Sequence, residues 1–469
     1  MRRLIGLASI VVLVMAATSA AAGSSGRRDA EPGGALELVG HSPLENRGMN
    51  AALAVHGDYA YVGSRTDAKA ENANGAGVLV IDISDPAAPE VVHQIGPPDE
   101  GNPGETSREM RIWPEEELLI VMTLYSNCGE IHACTPVGGD DRFNFYDISG
   151  KNAAQPKLLS TYVPSENPHE FFLWDDPKKK GRALLFISNP GGGQQLTVTD
   201  ISKARDGKFA EIVKMSPLYT GGNLHSLGIS ADGKRGYLAH LAGGVGVIDT
   251  SQVAKGVAKP DIRVLTAPND APKWEGPGPH SAVKVFGKDF MLITDEVYGE
   301  ALRALGGHGC PWGWMRMVSI ANEAKPKVVS DYRLAQNHEE FCQTDPPRPT
   351  ASYSAHNPTL TPNLAIISWH SGGLQVIDIS NPAKPVQSAE YVPTPVVPIV
   401  QDDPVLSSGI DKVVVWSYPV IKDGLIYVVD VRNGLYILKY TGPFEDEVSS
   451  TDFIEGNSNL GDALRFDKP

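Results

Sequence analysis

Four histidines recur in equivalent surroundings along the chain, and imidazole is the commonest metal ligand in proteins. Each stands at the start of a short apolar run that predicts a β-strand, so all four occupy one register of a repeated unit. They are His169, His225, His280 and His356. Neutral histidines on rigid strands form a pre-organised cation site that suits Fe, Cu or Zn. We therefore predict a divalent transition metal held by these four, with its identity left open.

Further polar side chains are expected at the same place. In an antiparallel unit the first strand begins where the second strand ends, so residues at both positions converge. We assign catalytic roles to six of them: Glu109, Glu170, Asp295, Glu296, His240 and His370. The carboxylates would orient ligands or transfer protons, and the two histidines would contact substrate. No cofactor other than the metal is predicted.

Two other interpretations of the histidines stay open. Repeats copy side chains together with backbone, so a histidine at one register could simply bond the neighbouring unit. Other units place Asn50 or Glu109 at this position, so scaffolding alone does not require histidine. The same cluster could also perform acid–base catalysis without a metal.

The elements that must position these residues form a repeat. Leu79–Pro86 reads LVIDISDP, and Gln375–Pro382 reads QVIDISNP. Looser copies follow one another at roughly 50 to 65 residues, close to the spacing of propeller blades. Each is a β-branched run ended by an Asp/Ser turn. We predict an all-β, seven-bladed β-propeller, with six or eight blades left open, closed by the N-terminal strand Leu36–Val39 in the last blade.

This repeat resembles a known family. Leu79–Pro86, followed by Ala87-Ala88-Pro89, is similar to the LVIVD repeat of bacterial and archaeal exported and surface proteins. The resemblance implies a β-propeller and export, and implies little about chemistry.

The histidine arrangement also resembles, in architecture only, the carotenoid cleavage oxygenases. In those seven-bladed propellers four inner-strand histidines hold one non-haem iron, backed by glutamates. The resemblance implies the same role for His169, His225, His280 and His356. The chain departs from that family because its histidines come from four consecutive blades and the family's flanking sequences are absent.

The composition predicts an exported, acidic protein. Arg2 and Arg3 precede an apolar run that ends in small residues, which is typical of a signal peptide. We divide the chain into a signal peptide (1–22), a flexible lead-in (23–34), the propeller (35–442) and an acidic tail (443–469). A net charge of −15 without a basic stripe argues against nucleic acid as partner. We expect a secreted, periplasmic or cell-surface protein with no stable membrane span in the mature chain.

The four cysteines fit this location. Cys128, Cys134, Cys310 and Cys342 form an even set, which in an exported protein predicts disulfide bonds. Pairing of the first two, and of the last two, is the arrangement we favour. A zinc site that includes His132 or His308 is the alternative.

The function predicted from these features is a metal-dependent oxidoreductase acting on a small molecule. One alternative is a non-catalytic secreted or surface module whose loops recognise a protein or a glycan. Another is a metal-dependent lyase or lactonase, because other seven-bladed propellers carry out such reactions.

Overall fold

The fold is described by a computed structural model of the chain. The described residues are 33–65, 77–96, 106–124, 140–216, 219, 222–274, 278–296, 313–342, 352–402 and 412–456. Within these ranges the strands form seven antiparallel sheets. The first strands of neighbouring sheets contact each other, which is the arrangement of propeller blades around a central channel. The prediction of seven blades is confirmed.

The first strand, β1 (Ala35–Ser42), belongs to the last blade. Blades one to three then follow in chain order, each with four strands. Blade one has β2 (Asn50–His56), β3 (Tyr59–Ser64), β4 (Val78–Asp82) and β5 (Glu90–Ile95). Blade two has β6 (Thr106–Trp113), β7 (Leu118–Leu124), β8 (Arg142–Asp147) and β9 (Lys157–Tyr162). Blade three has β10 (Glu170–Asp175), β11 (Ala183–Ser188), β12 (Leu196–Lys203) and β13 (Lys208–Met215).

Blades four to six repeat the same order. Blade four has β14 (Ser226–Ile229), β15 (Arg235–Ala239), β16 (Val245–Asp249) and β17 (Arg263–Val264). Blade five has β18 (Ser281–Lys284), β19 (Phe290–Thr294), β20 (Met315–Ser319) and β21 (Lys327–Tyr332). Blade six has β22 (Pro358–Leu360), β23 (Leu364–Ser368), β24 (Leu374–Asp378) and β25 (Val386–Tyr391).

The seventh blade joins the two ends of the chain. Its strands are β26 (Val420–Lys422), β27 (Leu425–Asp430), β28 (Gly434–Thr441) and β29 (Phe453–Glu455), with β1 as the outer strand. β1 pairs with β28 in antiparallel register, from Ala35 opposite Thr441 to Ser42 opposite Leu435. The predicted closure by an N-terminal strand is confirmed, and it covers the edge that β28 would otherwise expose.

The structure explains why the sequence repeats Asp-Ile-Ser at the third strands of blades one, two, three and six. Oδ1 of Asp82 accepts the backbone N–H of Ser84 at 2.9 Å, and Asp378 accepts that of Ser380 at 2.8 Å. Looser copies make the same turn, as Asp200 does with Ser202. The short side chain therefore satisfies the N–H that the ladder leaves unpaired and stops the strand.

Short helices connect the strands. The α-helices are α1 (Ser251–Ala254), α2 (Glu339–Cys342) and α3 (Glu445–Ser449). The 3-10 turns span Leu44–Asn46, Pro114–Glu116, Gly150–Ala153, Ala204–Asp206, Leu241–Gly243 and Ala335–Asn337. None of the helices in the described part of the chain is long and apolar enough to cross a membrane.

The prediction that the chain is loose from residue 443 onwards is wrong for residues 443–456. α3 follows directly, and β29 then pairs with β26 at the inner edge of the blade-seven sheet. Val448 and Ile454 are buried, and Phe453 packs against apolar clusters of several blades. This segment is acidic overall, but its three apolar side chains bury enough surface to hold it inside the ring.

Candidate metal centre

The four predicted histidines occupy one structural position in four consecutive blades. Each backbone N–H binds the carbonyl of the last residue of the second strand of its own blade. The pairs are His169 with Ser188 (2.9 Å), His225 with Ala239 (2.9 Å), His280 with Thr294 (2.7 Å) and His356 with Ser368 (2.9 Å). The strand register therefore directs all four side chains to the same end of the channel.

The imidazoles lie side by side in a row that His370 extends at one end. Successive ring centres from His169 to His225, His280, His356 and His370 are 4.4, 4.0, 4.5 and 5.1 Å apart. Nε2 of His169 lies 2.9 Å from Nε2 of His225. Rings this close share one site. We call these five residues the histidine row.

Glu296 lies within ligand distance of three members of the row. Its Oε2 is 3.2 Å from Nε2 of His280. Its Oε1 is 3.1 Å from Nε2 of His356 and 3.2 Å from Nε2 of His370. Two ligand atoms that are each about 2.1 Å from a metal lie roughly 3.0 to 3.4 Å apart, depending on the angle at the metal. The observed spacings match that range.

The hydrogen bonding of His356 identifies which of its nitrogens is free to bind a cation. Nδ1 lies 2.7 Å from the carbonyl oxygen of Trp416, which can only accept, so Nδ1 carries the proton. Burial lowers the pKa of His356 well below its usual value, which favours the neutral ring. In the neutral ring Nε2 presents a lone pair to Oε1 of Glu296. Two acceptors face each other, and a cation between them would resolve the repulsion.

One carboxylate oxygen of Glu296 also lacks a hydrogen-bond donor among the described residues. The side chain is buried, and in the part of the chain that the structure describes its Oε1 has no hydrogen-bond partner of acceptable geometry. Burial alone would raise the pKa of Glu296, but the adjacent His356 and His280 lower it well below its usual value. A charged, orphaned carboxylate oxygen is costly in a buried site, and a bound cation would compensate it.

A second carboxylate, Glu170, faces the other half of the row. Its Oε1 is 3.6 Å from Nε2 of His280 and 3.8 Å from Nδ1 of His225. Burial raises the pKa of Glu170 to about 7, and burial also lowers the pKa of His225 well below its usual value. The hydroxyl of Tyr418 lies 3.5 Å from Oε2 of Glu170. Two three-residue groups could therefore hold a metal ion: Glu170–His225–His280 and His280–Glu296–His356.

Comparison with known families accounts for the repeat. The family model described as LVIVD repeat matches residues 47–95 and 362–392, which lie in blades one and six. The chain is a seven-bladed β-propeller, and segments of two of its blades match the LVIVD repeat. Both matched segments contain the Asp-Ile-Ser turn seen in the structure, and His370 is the one member of the histidine row that lies within them. The family match therefore supports the β-propeller scaffold and gives no information about the chemistry of the histidine row.

Solved structures similar to this chain have low sequence identity to it. Sqt1 of Chaetomium thermophilum, bound to the N-terminus of ribosomal protein L10, is 14% identical over 87% of this chain and 90% of its own, with a TM-score of 0.46. Sqt1 of Saccharomyces cerevisiae is 8% identical over 87% and 100%, with a TM-score of 0.48. Unbound Chaetomium thermophilum Sqt1 is 16% identical over 85% and 86%, with a TM-score of 0.47. No curated protein matches the sequence of this chain.

Three of the six predicted catalytic residues engage other partners: Asp295, His240 and Glu109. The carboxylate of Asp295 accepts hydrogen bonds from Arg316 and from Nε1 of Trp274, the latter at 3.1 Å. His240 is fully buried, packs edge-on against Tyr219 at 5.0 Å, and burial lowers its pKa to about 4. A position at the end of a second strand is therefore not sufficient to predict that a side chain reaches the histidine row. Glu296 and His370 stand two residues beyond their strands and reach the row, whereas Asp295 and His240 stand one residue beyond.

Glu109 belongs to a buried charge cluster that sequence reasoning missed. Oε2 of Glu109 accepts a hydrogen bond from Arg111 at 2.9 Å, and the guanidinium of Arg111 lies 5.0 Å from the ring centre of Tyr418. Oε2 of Glu455 accepts the backbone N–H of Ile112, and burial raises the pKa of Glu455 to about 8. The alternation of Glu109 and Arg111 along an inner strand was an available signal. No sequence signal indicated the position of Glu455, because Glu455 lies in the segment that was expected to be loose.

The cysteine predictions fall outside the described residues. Cys128, Cys134 and Cys310 lie there, and so does the side chain of Cys342. His132 and His308 of the alternative zinc site lie there too, together with the predicted signal peptide (1–22) and most of the predicted lead-in (23–34). These expectations therefore remain predictions.

Proposed function

We propose that this protein is an exported, metal-dependent oxidoreductase that acts on a small molecule at the mouth of its propeller. The observation that carries the proposal is the acceptor pair formed by Nε2 of His356 and Oε1 of Glu296, which are 3.1 Å apart. The proton on Nδ1 of His356 is committed to the Trp416 carbonyl. A histidine that donates its other N–H to a carbonyl is the usual arrangement of a metal ligand.

The donor set is compatible with redox chemistry. His280, His356 and Glu296 provide two imidazoles and one carboxylate, the set typical of non-haem iron sites with open positions. Iron or copper bound there would supply electron transfer or oxygen chemistry. The protein would bind and orient the substrate beside the row, and Glu170 and Tyr418 would provide groups that hold or move a proton. Export is proposed from the N-terminal segment alone.

Metal replacement and oxygen uptake test this proposal together. Protein purified without chelator is expected to contain about one or more transition-metal ions per chain. After stripping, reloading with Fe²⁺ or Cu²⁺ is expected to restore oxygen uptake on a panel of small organic substrates, and Zn²⁺ is not. Protein that takes up no metal would contradict the metal site. Turnover supported equally by Zn²⁺, without oxygen uptake, would instead identify a lyase or hydrolytic lactonase.

A further inference from the structure

The row offers more ligands than one metal ion uses. Five imidazoles and two carboxylates lie in continuous contact from His169 to His370. An octahedral ion takes about six ligands and a tetrahedral ion about four, all within roughly 2.1 Å of one point. These seven side chains exceed the ligand number of a single ion. The two candidate groups share His280 and otherwise consist of different residues.

The two oxygens of Glu296 face different imidazoles. Oε2 faces His280, whereas Oε1 faces both His356 and His370. This is the orientation of a carboxylate that bridges two ions, with one oxygen on each. We propose that the centre binds two metal ions bridged by Glu296. This inference rests on the proposed function and specifies the metal content of that same site.

The ligands divide between the two ions according to the geometry. His225, His280 and Glu170 surround the first position, to which Oε2 of Glu296 is directed. His356 and His370 surround the second, to which Oε1 is directed. Paired metal ions in enzymes commonly lie about 3.5 to 4 Å apart, which is close to the ring spacing along the row.

The residues of the second position are held firmly. His370 has a positive φ of 40°, an unfavourable conformation for a non-glycine residue. Its backbone is fixed by two hydrogen bonds of 3.1 Å with Val415, and its Nδ1 lies 2.9 Å from Oγ of Ser352. These contacts leave Nε2 directed at Glu296. A strained residue held from several sides is common at functional sites.

Native mass spectrometry of the stripped full chain titrated with Co²⁺ tests the inference. The wild-type protein is expected to saturate at two tightly bound ions. His370→Ala, which empties the second position, and His225→Ala, which weakens the first, are each expected to saturate at one. The affinity for the lost ion should fall by more than about 100-fold, the upper end of losses seen for outer-shell changes. His93→Ala, on an outer strand, is the control and should keep both ions.

The outcomes separate this inference from the proposed function. Saturation of the wild type at one ion would overturn the two-ion centre and leave the single-metal proposal intact. Two ions retained in both His370→Ala and His225→Ala would overturn the assignment of ligands. Absence of tight binding in the wild type would overturn both. If one variant fails to fold, as judged by circular dichroism, the other still tests the two-ion centre, because it removes a ligand on the opposite side of Glu296.

Discussion

Glu296→Gln is expected to lose tight metal binding, with affinity reduced by more than about 100-fold. The substitution keeps the shape of the side chain but removes the negative charge that faces His280, His356 and His370. Because both carboxylate oxygens point at imidazole nitrogens, no position in the row would keep its full ligand set. Metal content after dialysis, measured by elemental mass spectrometry, reports the effect.

Glu455→Gln is the matched control for this change. Glu455 is also a buried carboxyl group, and burial raises its pKa to about 8. It is therefore largely protonated at neutral pH, and glutamine resembles that form closely. Metal content should remain that of the wild type. Equal metal content in Glu296→Gln and the wild type would contradict the role of Glu296.

Arg111→Met is expected to lower the free energy of unfolding by about 3 to 5 kcal/mol. Arg111 is fully buried, and its guanidinium binds Oε2 of Glu109 at 2.9 Å. Burial opposes its charge, but Glu109 and Glu455 outweigh that effect and raise the pKa of Arg111. Methionine fills similar volume, yet it leaves a carboxylate without its counter-charge inside the channel. Chemical denaturation at neutral pH measures the loss.

An exposed arginine provides the comparison. Arg205 pairs with Glu116 at 3.3 Å near the surface, where solvent screens the charges, so Arg205→Met should cost at most about 1 kcal/mol. The double variant Arg111→Met with Glu109→Gln should regain part of the stability, because it no longer buries the Glu109 charge alone. Equal stability of Arg111→Met and Arg205→Met would contradict the buried charge cluster.

The fold was predictable because the signal is local and repeated. Asp82 and Asp378 stop their strands through hydrogen bonds to residues two positions later, so the pattern survives in the sequence wherever a blade occurs. The register of the histidines was predictable for the same reason, since each precedes a strand by one or two residues. The inward course of Phe453–Glu455 was not, because it depends on pairing with β26 and on packing inside a ring that only the complete chain forms.

The site was predictable in its residue types and less so in their roles. The four blade-start histidines do lie together, and His370 and Glu296 join them. The sequence could not show which of the neighbours Asp295 and Glu296 reaches the row. Beyond the end of a strand, the direction of a side chain depends on the partner to which it bonds. Arg316 and Trp274 capture Asp295. Glu296 turns the other way, toward the row.

The central claim is that a metal ion, and not a proton, lies between His356 and Glu296. Anomalous diffraction from crystals of metal-loaded protein, recorded on either side of the metal absorption edge, tests it most directly. We expect an anomalous peak about 2.1 Å from both Nε2 of His356 and Oε1 of Glu296. A peak-free site in loaded crystals, with these two atoms still at hydrogen-bonding distance, would contradict it.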